Sequence, residues 1–123
     1  MQYVIIDTSS MLFGFANRKN VFEATEGMFP KCTILISRSI ITELKGISKN
    51  KGKQGVTARL ALAATRSKKI KVDDIIGPAD DWIANTAGMG RVCAVITNDT
   101  ELFRRLKSGG VTVFKFTRDG KIR

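Results

Sequence analysis

The chain has 123 residues, 43% of them hydrophobic, with a mean hydropathy near zero. That is the composition of one ordinary globular domain, too short for two and too apolar for a disordered segment. Lys and Arg number 21 against 11 Asp and Glu, a net charge of +10, which favours an anionic polymer or surface as partner. Histidine is absent. Ser-His-Asp triads, Cys-His pairs and histidine-ligated metals are therefore excluded, leaving carboxylates, hydroxyls, lysines or a hard metal ion to carry any chemistry.

Val4-Ile5-Ile6 reads as a short strand that stops at the helix starters Asp7-Thr8-Ser9-Ser10. A helical stretch follows, with a break near Asn17 and with Val21, Phe22 and Met28 among its apolar positions. Cys32–Ile36 is a second strand, and Ile40, Ile41, Leu44 and Ile47 then recur at helical spacing. Ser48–Gly55 reads as a basic loop, Val56–Thr65 as an Ala/Leu-rich helix and Ile70–Asp73 as a third strand. Gly77-Pro78 punctuates before a helix at about 79–89, followed by a strand at Val92–Ile96, a helix at Asn98–Lys107 and a last strand at Val111–Phe116. Cys32 and Cys93 lie in or beside apolar runs, a setting for buried reduced thiols that leaves a disulfide open.

Strands alternating with helices predict an α/β domain with a mainly parallel sheet covered on both faces. In such sheets function gathers at the carboxyl ends of the strands, near a topological switch point. No apolar run approaches the roughly 20 residues that span a bilayer. Met1-Gln2 leads straight into a strand instead of a leader peptide. A soluble, cytoplasmic protein without membrane contact is expected.

The few acids are placed tellingly. Asp7 ends the first strand, Asp99 opens the helix after the fourth, Glu43 lies in the helix after the second, and Asp80-Asp81 open the helix before the fourth. Each has a structural alternative: Asp7 as an N-cap, Asp80 and Asp81 as dipole partners, Asp99 as a first-turn acid behind an Asn98–Glu101 capping box, and Glu43 as a solvated helix residue. Together they are costlier to explain away. Two carboxylates about 4 Å apart repel by up to about 4 kcal/mol at an effective dielectric near 20, so a cluster calls for protonation or a hard cation such as Mg²⁺ or Mn²⁺. Glu43 lies about 40° from Ile47 and about 60° from Ile40 on its helix, flanking the apolar stripe. With Ile83 as the zero of angle, Asp80 lies at about 60° and Asp81 at about 160°, so Asp80 shares the packed face.

VIIDTSS (4–10), SIITELKGI (39–47), PADDWIANTAG (78–88) and VITNDTELFRRL (95–106) together resemble PIN-domain ribonucleases, most closely the archaeal and eukaryotic type that processes small-subunit ribosomal RNA. The ADDWIANTA segment is also similar to PIN toxins of toxin–antitoxin pairs. The resemblance implies a three-layer α/β/α domain over residues 1–116, with a five-stranded sheet of order 3-2-1-4-5, and 117–123 as a short basic tail. It implies a Mg²⁺- or Mn²⁺-dependent endoribonuclease in which metal-activated water attacks RNA, leaving a 5′-phosphate and a 3′-hydroxyl. Asp7, Glu43, Asp80 and Asp99 take the catalytic roles. Asp7, Asp80 and Asp99 would hold metal, with Asp81 reaching it through water, and Thr8 and Thr97 would support the cluster.

RNA, pre-ribosomal RNA in particular, is the expected partner, besides a second copy of the chain or another protein. Lys49, Lys51, Lys53, Arg104 and Arg105 are candidate phosphate contacts, and Lys68, Lys69 and Lys71 form a second basic cluster. Trp82 and Phe103 sit at helical spacing among Leu and Ile and are read as core in preference to base-stacking platforms. The rival reading is a non-catalytic RNA- or protein-binding PIN module of ribosome assembly. A P-loop around Gly46–Lys53 is rejected, because its glycine spacing is one residue too long and Gln54 replaces the Ser/Thr.

Overall fold

Four apolar residues in succession make the first strand, β1 (Tyr3–Ile6), and all four are buried. An unbroken apolar run of this kind is what a strand covered on both faces requires. The computed structural model describes residues 1–66 and 69–123. The elements after β1 are α1 (Thr8–Ala16), α2 (Val21–Met28), β2 (Thr33–Ser37), α3 (Arg38–Ser48), α4 (Lys53–Thr65), β3 (Ile70–Asp73), α5 (Ala79–Ala87), β4 (Val92–Ile96), α6 (Thr100–Ser108) and β5 (Val113–Phe114). The sheet has the order β3-β2-β1-β4-β5, and every strand pair is parallel. This is the expected five-stranded arrangement, flanked by six helices in an α/β/α fold. β1 lies at the centre. The chain runs outward from it to β3, then crosses back to β4, so the switch point falls between β1 and β4, where Asp7 and Asp99 leave the sheet.

Three stretches differ from the sequence reading. The basic loop expected at Ser48–Gly55 shrinks to 49–52, because α4 begins at Lys53. Gly55 makes that tight turn fit: a Cβ there would stand 1.9 Å from the Asn50 carbonyl oxygen. The last strand keeps only two residues of Val111–Phe116, since Phe116 turns into the core with 1% exposure. Nor does 117–123 hang free. Lys115 and Arg123 exchange backbone hydrogen bonds of 2.9 and 3.0 Å, and Thr117 donates to Lys121, so the chain folds back as a hairpin with a Phe116–Ile122 bridge.

At the opposite edge from the acids, a register shift between Tyr3 and Val4 leaves Cys93 bulged between Val92 and Ala94. Its thiol donates to the Tyr3 carbonyl and lies 3.2 Å from Cys32 Sγ. Both thiols are free and half-buried, and burial, reinforced by Cys32, pushes that of Cys93 up to about 11. Among the described residues no helix is long and apolar enough to cross a membrane.

Candidate active site

β1 and β4 deliver their C-terminal residues to the same edge, and hydroxyls bind that edge together. Asp7 occupies the N-cap position of α1 without making a capping bond. Its Oδ2 instead accepts from Ser9 Oγ at 2.6 Å and from Thr97 Oγ1 at 2.9 Å. Asp7 and Thr97 are 5% and 0% exposed, so two short donors compensate the dehydration of this carboxylate. Ser9 and Thr97 also touch at 3.2 Å. Each hydroxyl has one proton, and both protons go to Asp7. Thr97 Oγ1 accepts from the Asp99 amide at 3.1 Å and Ser9 Oγ from the Asn98 amide at 3.0 Å, which closes a network between the starts of α1 and α6.

Asp99, not Asn98, caps α6: its Oδ1 accepts from the Leu102 amide at 2.9 Å. Asn98 is spent elsewhere. Its side chain takes Ser10 Oγ and the Phe116 amide on Oδ1, and gives Nδ2 to the Phe116 carbonyl. The C-terminal hairpin is thereby pinned beside the acids.

Glu43 comes from α3, and Thr8 Oγ1 reaches its Oε2 at a long 3.4 Å. Dehydration raises its pKa most, Asp7 adds to the rise and Asp80 adds less, while the Thr8 bond opposes them. Asp80, in the first turn of α5, is likewise raised by dehydration, then by Asp7 and Asp99, with Arg105 pulling the other way. Electrostatically these acids form one group. Asp81 does not join it in the same manner, for its Oδ1 accepts from Arg105 Nη1 at 3.0 Å across the exposed side of α5.

Residues 4–118 match a family described as the PIN like domain. The chain belongs to this family. It is 31% identical over 117 residues to Ribonuclease VapC4 of Methanocaldococcus jannaschii, across 92% of this chain and 88% of that one. It also shares its fold with the PIN domain endonuclease Utp24, at a TM-score of 0.78 and 22% identity, over 98% of this chain and 90% of the other.

In this PIN-like domain no three acids among the described residues already form a closed metal cage. The donors themselves suit a hard divalent ion: all are carboxylate oxygens, and Glu43 and Asp80 each carry, besides the cost of burial, a penalty from acidic neighbours, Asp7 in both cases, that a cation would remove. Asp7, Asp80 and Asp99 are the residues that would hold it.

Ser9, Ser10 and Asn98 received no site role from the sequence, although Ser9 lies only two residues from Asp7, the spacing of a local hydroxyl–carboxylate bond. Asp73 and Asp74 also end a strand at this edge, but they are used structurally: Asp73 takes the Trp82 indole N–H and Asp74 takes Arg38. Trp82 is buried. Phe103 is half-buried, with Lys115 Nζ 4.8 Å from its ring centre. Lys49 and Lys51 are exposed on the α3–α4 turn, Lys53 at the start of α4 and Arg104 on α6. Lys71 donates to the Tyr3 hydroxyl and Lys69 lies 4.0 Å from Glu26; Lys68 lies outside the described residues.

Proposed function

We propose that this PIN-like domain is a divalent-metal-dependent endoribonuclease. The observation that carries the reading is the group of acids at the switch point, with Asp7 held by Ser9 and Thr97 and with Glu43 and Asp80 raised by burial and then by their acidic neighbours. A structural role for these residues leaves that repulsion unexplained, whereas a ribonuclease uses it to bind the ion. When bound, Mg²⁺ or Mn²⁺ supplies positive charge against the scissile phosphate and lowers the pKa of water. The chain's own residues do the positioning. Ser9 and Thr97 fix the Asp7 carboxylate, the α6 amide fixes Asp99, and Thr8 steers Glu43. The relative VapC4 is a ribonuclease, which supports RNA as substrate.

Pre-ribosomal RNA is the first substrate to test, because the sequence resembles the small-subunit processing type. Labelled pre-ribosomal RNA incubated with the protein should be cut in Mn²⁺ and remain whole in EDTA. Asp7→Asn, which keeps the volume but removes one ligand charge, should lower the rate by at least about a hundredfold with an unchanged circular dichroism spectrum. Full activity in EDTA, or in the variant, would sink the reading.

A further inference from the structure

Beside Glu43 the surface opens into a hollow of about 600 Å³ bounded by Arg38, Ser39, Thr42, Glu43, Ile76 and Gly77. We propose that this hollow is a subsite for one unstacked nucleotide of single-stranded RNA, with its base against Ile76 and its phosphate or ribose on Arg38. The inference rests on reading the acids as a ribonuclease centre, and it adds where a base next to the cut is held.

One wall of the hollow is the first two turns of α3 and the other is the connection from β3 to α5, and two side-chain links join them. Arg38 donates from Nε and Nη2 to Asp74 Oδ1 at 3.2 and 2.8 Å, and the Gly77 amide donates to Ser39 Oγ at 3.1 Å. Its volume falls within the range of small-ligand sites, roughly 300–1,000 Å³.

The lining has the chemistry of a nucleotide. Ile76 is 86% exposed, the most exposed large apolar side chain among the described residues. A flat base laid on it withdraws apolar surface from water on both partners. The Asp74 bonds hold the Arg38 guanidinium in place while leaving Nη1 to donate to a phosphate or ribose oxygen. Ser39 accepts from Gly77, so its hydroxyl proton is available. Thr42 spends its proton on the Arg38 carbonyl at 3.1 Å and keeps lone pairs to accept. Glu43 belongs both to this hollow and to the acidic group, so a strand whose phosphate lies at the acids passes the hollow at once. A base stacked inside a duplex cannot turn into it, whereas an unpaired base can.

Binding is measured by fluorescence anisotropy in Mg²⁺, in an Asp7→Asn background that keeps the RNA intact, with a short single-stranded oligoribonucleotide and its blunt duplex. Ile76→Ser should weaken single-strand binding about five- to tenfold and leave duplex binding unchanged, and Ile76→Leu should restore it. Without the Asp7 substitution, Ile76→Ser should also change which phosphodiesters are cut. Equal affinity of the Ser and Leu variants overturns the subsite, and so does a single strand bound no tighter than the duplex. If Ile76→Ser instead converts a dimer to a monomer in light scattering at unchanged RNA affinity, Ile76 belongs to a protein interface and the proposal falls. Loss of single-strand affinity in Ile76→Ser, together with no cleavage by the unsubstituted chain, keeps the subsite and removes the ribonuclease reading.

Discussion

Asp7 and Asp99 each stand one residue before a helix, yet they use that place differently. Asp99 caps α6, while the Asp7 side chain bonds no α1 amide and takes two hydroxyls instead. Glu43 gives the clearest physical test of the acidic group. Its pKa is raised above the ordinary 4.5, so ionising it costs the folded, metal-free chain stability. That cost is absent below pH 4.5 and complete once the pH exceeds the raised folded value. Glu43→Gln should therefore melt at a higher temperature than the parent at pH 7 in EDTA, and the gap should close on acidification below 4.5. Solvent screening at this exposed residue keeps the gain under about 1 kcal/mol, or about 5 °C. Saturating Mn²⁺ should reverse the order, since a ligand that binds only the folded state stabilises most where its site is intact. The two neighbouring acids separate as well. Asp80→Asn should remove metal-dependent cleavage, whereas Asp81→Asn breaks only a half-exposed pair with Arg105, costs about 0–1 kcal/mol and should keep a substantial part of the rate. A Mn²⁺ titration with the larger loss in the Asp81 variant would exchange their roles.

At the level of elements, the α3–α4 turn and the first residue of α4 carry Lys49, Lys51 and Lys53 to the surface. If all three meet phosphates of a single strand, replacing them with Ala should flatten the slope of log K against log[salt] by about 0.7 per lysine; an unchanged slope returns them to solubility alone. Most of this architecture was legible in the sequence, because β1 and β4 are continuous apolar runs, β2 is built on Ile34-Leu35-Ile36, and α3 and α6 carry their apolar residues at helical spacing. The rest depended on residues distant in the chain. SKNKGKQG has the composition of a loop, and nothing local reveals that Gly55 packs on Asn50 to start α4 early. Phe116 looks like a strand residue until Gly14 leaves room for its ring, so close that a Cβ at Gly14 would lie 2.7 Å away. Asn98 resembled a cap because Asn-Asp-Thr-Glu fits that pattern, and only the folded hairpin shows what it holds. The strand-end acids could be picked out individually, but their electrostatic coupling arises from the crossing between β1 and β4, which no local spacing encodes.

Across the whole molecule, a net charge of +10 accompanies a small acidic edge at the ends of β1 and β4, and an excess of positive charge favours the approach of a polyanion. The edge depends on the far end of the fold. Phe116 is in the core, and Asn98 grips both its amide and its carbonyl one residue away from Asp99. Phe116→Ala should cost about 3–5 kcal/mol in urea unfolding and reduce cleavage further than the lost stability explains, because the Asn98 clamp loosens beside the acids. A variant with the predicted loss of stability but undiminished activity at low temperature would separate the hairpin from the site.

The central position of β1 also bears on how the protein is made. Thr97 and the Asp7 carboxylate it serves are separated by 90 residues, and a chain emerges from the ribosome with its N-terminus first. Asp7 is therefore synthesised long before the strand that completes its surroundings, and one edge of β1 waits unpaired for β4. The acids gather only after translation has passed Asp99, and the clamp on them closes only after Phe116. On the ribonuclease reading, a nascent chain cannot cut the message that encodes it until nearly the whole domain has been read.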